Sequence, residues 1–227
     1  MVDIEGFHGF QLVRRGGLTS QLVTELPEPS GRTAFLVEPV EEAVILGSTQ
    51  HLTEDQQVRL TTGGVPFVRR GSGGAGVVVN RDDVFWLDHV LPADAPLFDH
   101  DVRAGSLWVG ALWQRLFAEM GVGGTKMHSE ALVSNEWSRS CCFLGRGPGE
   151  LIMNERKVVG LSQRRIRAGA WFFSLAYRQL DARRHAMLLA SQDDEVTGLA
   201  EALERGAGIV DRSALDFAAA VEAVLDF

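Results

Sequence analysis

The amino-acid sequence predicts an α+β fold in which helices pack on one side of a mixed, largely antiparallel sheet. Short apolar runs typical of strands recur between residues 34 and 176, bounded by glycine, proline and polar turn residues. The last forty residues instead have helical periodicity. Strands that come first and helices that come last favour an α+β domain over alternating βαβ units.

The first predicted elements follow an exposed turn at residues 27–31, which is rich in proline and glycine. Apolar runs at 34–37 and 43–46 have the length and composition of short strands. Thr-Glu-Asp-Gln at 53–56 is a capping box, so a short helix is expected to begin there and to end at the glycine pair 63–64.

The middle of the chain combines three further strands with the clearest helix. Strands are predicted at 65–68 and, as a pair, at 77–79 and 84–91. Residues 101–120 carry apolar side chains at i, i+3 and i+4 spacing, which predicts a helix that ends before Gly121. The apolar face of this helix consists of Val109, Leu112, Trp113, Leu116, Phe117 and Met120.

The last third of the chain begins with strands and ends with helices. Strands are predicted at 151–153 and 158–161, around a turn at 154–155, and again at 170–176. The final helix has an N-cap pattern and an apolar stripe. The cap residues are Ser213 and Asp216, and the stripe consists of Val221, Val224 and Leu225.

Composition and charge exclude several classes of protein. The 227 residues are 45% hydrophobic and 23% charged, which is typical of one globular domain and excludes a disordered chain or a coiled coil. The formal net charge of -8 argues against a general nucleic-acid binder, whose binding face is basic. Residues 1–5 are acidic and lack the apolar region of a secretory signal, and no run of about 18 apolar residues predicts a membrane span. We therefore expect a cytoplasmic protein.

The only two cysteines are adjacent, at Cys141 and Cys142. Neighbouring cysteines rarely satisfy disulfide geometry, and a pair without nearby histidine ligands makes a poor zinc site, so no metal site is predicted. Arg139 and Arg146 are close enough in sequence to favour a nucleophilic thiolate at Cys142, although a small buried core residue is the alternative.

Three other kinds of side chain are weaker candidates. His128 could act as a general base, but a lone histidine is more often a surface or hydrogen-bonded residue. Three aromatic side chains are expected in the core or in a pocket wall rather than in the chemistry. These are Trp137, Trp171 and Phe172.

A glycine-rich segment at 69–77 is a candidate binding site. It consists of Arg-Arg-Gly-Ser-Gly-Gly-Ala-Gly-Val. Glycines let backbone N–H groups approach a ligand closely and form an anion-binding nest, and the two arginines suit a carboxylate or a phosphate. A flexible hairpin turn with surface arginines is the alternative. The lysine and hydroxyl residue of a phosphate-binding P-loop are missing.

Lys157 is the other strong candidate, because the chain has only two lysines against twenty arginines. It opens an apolar strand, from which its ammonium could enter a cleft and bind a substrate carbonyl or phosphate. The alternative is a lysine that protects an edge strand from aggregation.

Three segments of the chain resemble the biotin/lipoate protein ligase family, in its lipoate-handling branch. Ile-Leu-Gly-Ser-Thr-Gln at 45–50 is similar to an early strand that ends in Gly-x-x-Gln. The segment 69–77 is similar to the signature Arg-Arg-x-Ser/Thr-Gly-Gly-Gly-x-Val. Lys-Val-Val-Gly-Leu-Ser-Gln-Arg at 157–164 is similar to Lys-Ile-x-Gly-Ser-Ala-Gln-Arg. The resemblance covers roughly residues 44–175.

The resemblance implies a fold, a set of partners and a set of site residues. The fold would resemble the catalytic domain of class II aminoacyl-tRNA synthetases and biotin protein ligases, as a single domain over 1–227 without an accessory C-terminal domain. The substrates would be lipoate, octanoate or an acyl-protein donor, and the acceptor would be a lipoyl domain of a 2-oxoacid dehydrogenase or the glycine cleavage H protein. Neither nucleic acid nor membrane is implied. Lys157 would contact the acyl carbonyl. The implied substrate-binding residues are Arg69, Arg70, Ser72, Gly73, Gly74, Ala75, Gly76, Gly160, Ser162 and Gln163.

Two routes of acyl activation remain open. Lipoate ligases use ATP and Mg²⁺ to form an acyl-adenylate, whereas related transferases hold the acyl group as a thioester on cysteine and need no cofactor. In one cysteine-dependent branch a Cys-Phe pair precedes a Glu-Leu step and the signature lysine, which resembles Cys142, Glu150 and Lys157 with their neighbours here. The ligase branch typically has Asn-Asp where this chain has Gly149 and Glu150. We therefore favour the thioester on Cys142.

Two further alternatives follow from the same comparison. Ala75 replaces a glycine of the signature, and a histidine often found just after the signature is absent at 78–80. These departures keep open a non-catalytic, lipoate-binding member of the family. Biotin attachment is the weaker alternative, because the lysine motif resembles the lipoate branch more closely.

Overall fold

The computed structural model describes residues 9–225, so the acidic segment 1–5 lies outside the described residues. Within that range the chain forms ten strands and six α-helices. In chain order they are β1 (Gln11–Gly17), α1 (Thr19–Thr24), β2 (Thr33–Pro39), β3 (Ala43–Leu46), α2 (Glu54–Thr62), β4 (Phe67–Arg69), β5 (Val77–Val79), β6 (Val84–Pro92), α3 (Ala104–Glu119), β7 (Lys126–Met127), β8 (Leu151–Met153), β9 (Arg156–Ile166), β10 (Gly169–Tyr177), α4 (Ala182–Leu189), α5 (Val196–Gly206) and α6 (Ala214–Leu225).

Seven of these strands form one sheet, in the order β1-β2-β6-β10-β9-β8-β7. Strands β1 and β2 run parallel, and the other neighbours run antiparallel. A second sheet of three strands has the order β4-β3-β5. The prediction of an α+β fold with a mixed, largely antiparallel sheet is confirmed.

Strands β5 and β6 do not pair with each other, and the predicted pairing is wrong. Strand β5 pairs with β3 in the small sheet, whereas β6 pairs with β2 and β10 in the large sheet. A turn at 80–83 separates the two strands, where the Asp83 amide donates to the Asn80 carbonyl. A continuous apolar run indicates a buried strand but contains no information about its partner, because pairing depends on residues distant in sequence.

Helices cover both faces of the large sheet, which corrects the prediction that they pack on one side. Helices α3 and α6 bury one face, around Leu87 and Phe172. The small sheet and helices α4 and α5 bury the other face, around Trp86 and Tyr177. Because β6 is buried on both faces, its sequence is a near-continuous apolar run rather than an alternating one.

The predicted helix ends are formed by the expected residues. Thr53 and Gln56 make the reciprocal capping box of α2. The Ser213 hydroxyl and the Asp216 carboxylate cap the start of α6 through reciprocal hydrogen bonds with backbone amides. Strands β1 and β7 and helices α1 and α4 are elements that the sequence patterns did not predict. None of the helices in residues 9–225 combines the length and apolar composition needed to cross a membrane.

The hairpin between β8 and β9 sets the direction of Lys157. Asn154 and Glu155 have φ values of 50° and 61°, in the left-handed region that a tight two-residue turn requires, as the predicted turn implies. The register shifts between Leu151, which pairs with Val159, and Ile152, which pairs with Lys157, so β9 has one extra residue directly after Lys157. Bulges of this kind redirect side chains near functional sites.

Candidate active site

The glycine-rich segment, the cysteine pair and the start of β9 meet at Cys142. The Cys142 amide donates to the Gly76 carbonyl at 2.9 Å. Lys157 Nζ donates to the Cys142 carbonyl at 2.7 Å, across 15 positions of the chain. The backbone of Cys142 is therefore held between the two segments that the sequence singled out.

The shape of the glycine-rich loop is held from inside by Arg70. Its guanidinium donates to the carbonyls of Gly73 and Ala75 at 2.8 and 2.9 Å, and the residue is only 6% exposed. Burial lowers the pKa of Arg70 from its ordinary value. Gly74 has a φ of 95°, and a Cβ at Gly47 would lie 1.8 Å from the Gly74 carbonyl oxygen. The loop therefore needs glycine at both positions.

A pair of serines joins this loop to β9. The hydroxyl oxygens of Ser72 and Ser162 are 2.9 Å apart, and Ser72 is buried. A Cβ at Gly160 would lie 3.0 Å from the Phe143 ring, so β9 also passes close to the segment that follows the cysteines. These contacts fix the distance between the loop and the strand of Lys157.

Lys157 is a buried cation with three close partners. Besides the Cys142 carbonyl, Nζ donates to the Gly145 carbonyl at 3.0 Å and lies 2.6 Å from Glu150 Oε2. The two charged side chains are 2% and 5% exposed. Burial alone would lower the pKa of Lys157, but Glu150 and then Cys142 raise it, and the net result lies above the ordinary value. Lys157 is therefore charged at neutral pH.

Two cavities meet beside Cys142. An apolar slot of about 40 Å³ lies between the two sheets, and a polar cleft of about 930 Å³ opens next to it. Cys142 and Leu161 line both cavities. The slot walls include Ile45, Val77, Trp86, Phe173 and Leu175, and the cleft walls include Gln50, Gly74, Ala75, Arg139, Glu150 and Lys157.

The slot is narrow, since its volume corresponds to only a few water molecules. Its walls are mostly apolar and suit a hydrocarbon chain, and Arg70 and Ser162 are among the polar residues that join Cys142 in the lining. A whole eight-carbon chain therefore enters only if the walls move apart.

The predicted binding residues divide into three groups. Those that line a cavity are Arg70, Gly160 and Ser162 in the slot and Gly74 and Ala75 in the cleft. Ser72, Gly73 and Gly76 shape the loop through their hydrogen bonds without lining either cavity. Arg69 and Gln163 line neither cavity.

The two displaced side chains have clear physical reasons for their positions. Arg69 is exposed and donates from Nε to the Gln50 carbonyl at 2.9 Å. Gln163 donates to the Val102 carbonyl and the Ser106 hydroxyl near the start of α3. Because side chains alternate along β9, Gln163 faces away from the slot that Ser162 lines.

Among the weaker candidates, His128 lies outside both cavities, whereas the Trp137 carbonyl accepts from the Cys141 amide at 3.0 Å. His128 Nε2 is 2.9 Å from the Ala131 carbonyl, and neither the slot nor the cleft includes this histidine. Trp137 lies against Gly198, Trp171 donates to the Pro27 carbonyl, and Phe172 is buried on the α3 face. Trp137 also lines a third cavity that includes Lys157 and is therefore a pocket-wall residue, whereas Trp171 and Phe172 belong to the core.

The cysteines differ strongly in their surroundings although they are neighbours. Both are free, but Cys141 is buried and Cys142 is partly exposed. Burial raises the pKa of Cys141 to about 12, so its thiol is protonated. Within residues 9–225 no group of three or more His, Cys, Asp or Glu side chains is arranged to hold a metal ion.

Sequence reasoning noted Glu150 as a landmark but missed its contact with Lys157. A carboxylate in a buried stretch near a rare lysine is the only signal that could have indicated this pair. Gln50 was also missed as a cleft residue. Its amide accepts from the Gly47 amide and donates to the Arg139 carbonyl, each at 2.9 Å, and so joins two walls of the cleft.

The model of the lipoyl protein ligase A/B catalytic domain matches residues 17–213. The chain belongs to this family. Membership confirms the predicted family and makes the protein an enzyme, a lipoyl transferase or ligase. A search of curated protein sequences finds no match to the chain.

Solved structures of lipoate ligases share the fold of this lipoyl ligase-family domain. A bi-partite lipoate protein ligase of Thermoplasma acidophilum, described with its E2 lipoyl domain, matches with a TM-score of 0.68 and 12% identity over 95% of this chain and 81% of its own. Lipoate-protein ligase A bound with ATP matches with a TM-score of 0.60 and 12% identity, over 96% and 94%. The P. falciparum protein LipL1 with lipoate matches with a TM-score of 0.56 and 12% identity, over 94% and 58%.

Proposed function

We propose that this protein transfers a lipoyl or octanoyl group to the target lysine of a lipoyl domain through a thioester on Cys142. The observation that supports this most directly is the position of Cys142, which lines both the apolar slot and the polar cleft. An acyl chain in the slot would present its carbonyl at the boundary, next to the sulfur and the Lys157 ammonium.

The first chemical step would be a transfer between thioesters. The Cys142 thiolate attacks the carbonyl carbon of an acyl thioester donor, the new C–S bond forms, and the donor thiolate leaves. Negative charge develops on the carbonyl oxygen during this step. A fixed cation or N–H donor stabilises such an oxyanion by about 3 kcal/mol, and the Lys157 ammonium, 2.7 Å from the Cys142 carbonyl oxygen, is the proposed donor.

The second step would form the amide. The amine of the acceptor lysine attacks the acyl-Cys142 carbonyl, the C–N bond forms, and the C–S bond breaks to return the sulfur. The amine loses one proton, which the released sulfur can take up. The open cleft gives the acceptor side chain access to this carbonyl.

An ATP-dependent lipoate ligase is the second candidate function. The cleft volume of about 930 Å³ is in the range of small-molecule and cofactor sites, and a lipoate-protein ligase A of the same fold has been solved with ATP. The Glu150 carboxylate is a poor Mg²⁺ ligand in its present arrangement, because Lys157, Gly147 and Leu161 all donate to it. This favours the thioester route.

The proposal extends to the partners, the domain and the compartment. A lipoyl domain of a 2-oxoacid dehydrogenase, or the glycine cleavage H protein, is the proposed acceptor, in line with the T. acidophilum ligase and its E2 lipoyl domain. The chain supplies slot, cleft, cysteine and lysine itself, so we propose that it acts as one catalytic domain. A catalytic free thiol suits a reducing compartment such as the cytoplasm.

The test combines the purified protein with an apo lipoyl domain and each donor, with and without ATP and Mg²⁺, and measures the acceptor mass. We expect transfer from an acyl thioester without ATP, an acyl adduct on Cys142, and loss of both in Cys142→Ser. Cys141→Ser is the matched control and should keep transfer. Transfer that requires ATP and survives Cys142→Ser would establish the ligase instead. Binding of lipoyl-AMP without any transfer would indicate the non-catalytic alternative.

A further inference from the structure

We infer that Glu150 is a positioning residue, which holds the Lys157 ammonium in place and charged beside Cys142. The inference rests on the proposed function, because it assigns a role in the same site. It concerns a side chain that lines the cleft but whose carboxylate is directed at the lysine rather than offered freely to a ligand.

The Glu150 carboxylate is fixed by three donors. Oε2 accepts from the Gly147 amide at 2.6 Å and from Lys157 Nζ at 2.6 Å, and Oε1 accepts from the Leu161 amide at 3.0 Å. Two of the donors are backbone groups, so the carboxylate keeps its position independently of the lysine. It can therefore orient the more flexible lysine side chain.

The backbone before Glu150 is also constrained. Gly149 has a φ of 85°, and a Cβ there would lie 2.3 Å from the Ser106 carbonyl oxygen on α3. The chain thus passes α3 too closely for any side chain at position 149, and the next residue, Glu150, is buried. The position of the carboxylate follows from packing against a long helix rather than from a mobile loop.

The lysine uses all of its hydrogen-bonding capacity on one segment of the chain. An ammonium has three N–H donors, and Lys157 directs them to the Cys142 carbonyl, the Gly145 carbonyl and Glu150. The contact with Gly145 is the longest, at 3.0 Å. An acyl carbonyl could replace it while Glu150 keeps the ammonium in place.

Glu150 also determines whether the lysine keeps its proton. Among the described residues, the titratable groups that act on Lys157 are Glu150, Cys142 and Cys141, and Glu150 has the largest raising effect on its pKa. Without the carboxylate charge, burial pulls the pKa of Lys157 downward. The ammonium is then lost as pH rises through this lower pKa, and the alkaline limit of activity moves to lower pH.

The experiment measures acyl transfer by wild type and Glu150→Gln from about pH 6 to about pH 9.5. Glu150→Gln is expected to lower kcat about tenfold or more with little change in KM, and to shift the alkaline limb to lower pH. Glu155→Gln is the matched control. Its side chain is 86% exposed, and its only ion pair is with Arg146 at 3.9 Å among the described residues.

Two further measurements keep the inference testable if Glu150→Gln folds poorly. Glu150→Asp retains the charge, so it should lose rate but keep the alkaline limb of wild type. The rate at which iodoacetamide alkylates Cys142 should also change its pH dependence in Glu150→Gln, without any need for turnover. An active wild type with unchanged pH dependences in Glu150→Gln would overturn the inference alone. A wild type that transfers no acyl group would overturn the proposed function as well.

Discussion

The Lys157 ammonium is buried beside the Glu150 carboxylate and the carbonyls of Cys142 and Gly145. Each of these three groups accepts a hydrogen bond from it. Removal of one partner from a buried ion pair leaves an uncompensated charge, which typically costs about 3–5 kcal/mol. The effects of variants at this residue therefore combine chemistry with stability. The two contributions can be separated, because the partner charge can be removed as well.

Lys157→Ala is expected to abolish transfer. It is also expected to lower the free energy of unfolding by about 3 kcal/mol, because it leaves the buried Glu150 carboxylate without its cation. The double variant Lys157→Ala/Glu150→Ala should recover much of the stability but no transfer. Denaturant unfolding and the purified transfer assay measure the two effects. Lys126→Ala, at the only other lysine, should change neither. Transfer retained by Lys157→Ala would disprove its role.

Asp88 is a buried carboxyl group that has no cationic hydrogen-bond partner in the described part of the chain, in contrast to Glu150. Its Oδ1 accepts from the ring N–H of Trp86, a residue of the slot wall, at 2.7 Å. Burial raises its pKa to about 7. The native state therefore holds a proton that the unfolded chain releases near pH 4, and this residue destabilises the fold as pH rises from about 4 to about 7.

Asp88→Asn should remove that loss, so its stability relative to wild type should increase over the same pH window, by as much as about 4 kcal/mol. Urea unfolding of both proteins at several pH values is the measurement. The comparison with wild type is essential, because burial lowers the pKa of His89 to about 3, and this gives a pH dependence of opposite sign. A pH-independent difference would contradict the prediction.

At the scale of elements, the glycine-rich loop is shaped by its neighbour β3 as much as by its own sequence. Gly47, just after β3, passes against Gly74, whereas a Cβ at Gly73 would meet no atom within 4 Å. A side chain at Gly47 would therefore collide with the loop backbone, whereas a side chain at Gly73 would have room.

Gly47→Ala should displace the loop and cost about 1–3 kcal/mol, with a matching loss of transfer, because a new Cβ collides with backbone. Gly73→Ala is the control and should be tolerated. Thermal unfolding and the transfer rate of the two variants provide the comparison. Equal behaviour of the two would show that the close approach does not constrain the loop.

The sequence predicted individual elements well, because caps, turns and periodicity are local. Thr53, the 154–155 turn and the long helix before Gly121 are where local patterns place them. Strand partners depend on distant residues, so the separation of β5 from β6 was not predictable. Within the site, the motif residues 76 and 157 both contact Cys142, as their motifs implied. Side-chain alternation along β9 directs Gln163 away from the slot, and the ion pair of Glu150 with Lys157 was not predictable from the sequence.

At the scale of the whole molecule, the slot lies between the small sheet and the large one. Ile45 and Val77 belong to the small sheet, and Trp86, Phe173 and Leu175 to the large sheet. The width of the slot is therefore the distance between two layers, modified by the side chains that face it. Acyl-chain length should depend on those side chains.

Phe173→Ala should widen the slot and raise kcat/KM for longer acyl donors relative to octanoyl donors. The neighbouring Phe172→Ala is the control, because Phe172 faces α3 and its loss should cost about 3–5 kcal/mol without a change in chain-length preference. Transfer rates with a series of donors test this. An unchanged preference in Phe173→Ala would show that this side chain does not limit the chain.

The scarcity of lysine in the chain has a consequence for an enzyme that carries an activated acyl group on Cys142. A protein that carries a reactive thioester risks modifying its own amines. Here the cationic side chains are almost all guanidinium groups, which stay protonated, and the Lys157 ammonium is protonated with all three of its N–H donors hydrogen-bonded. The proposed enzyme would thereby be less prone to acylate its own side chains.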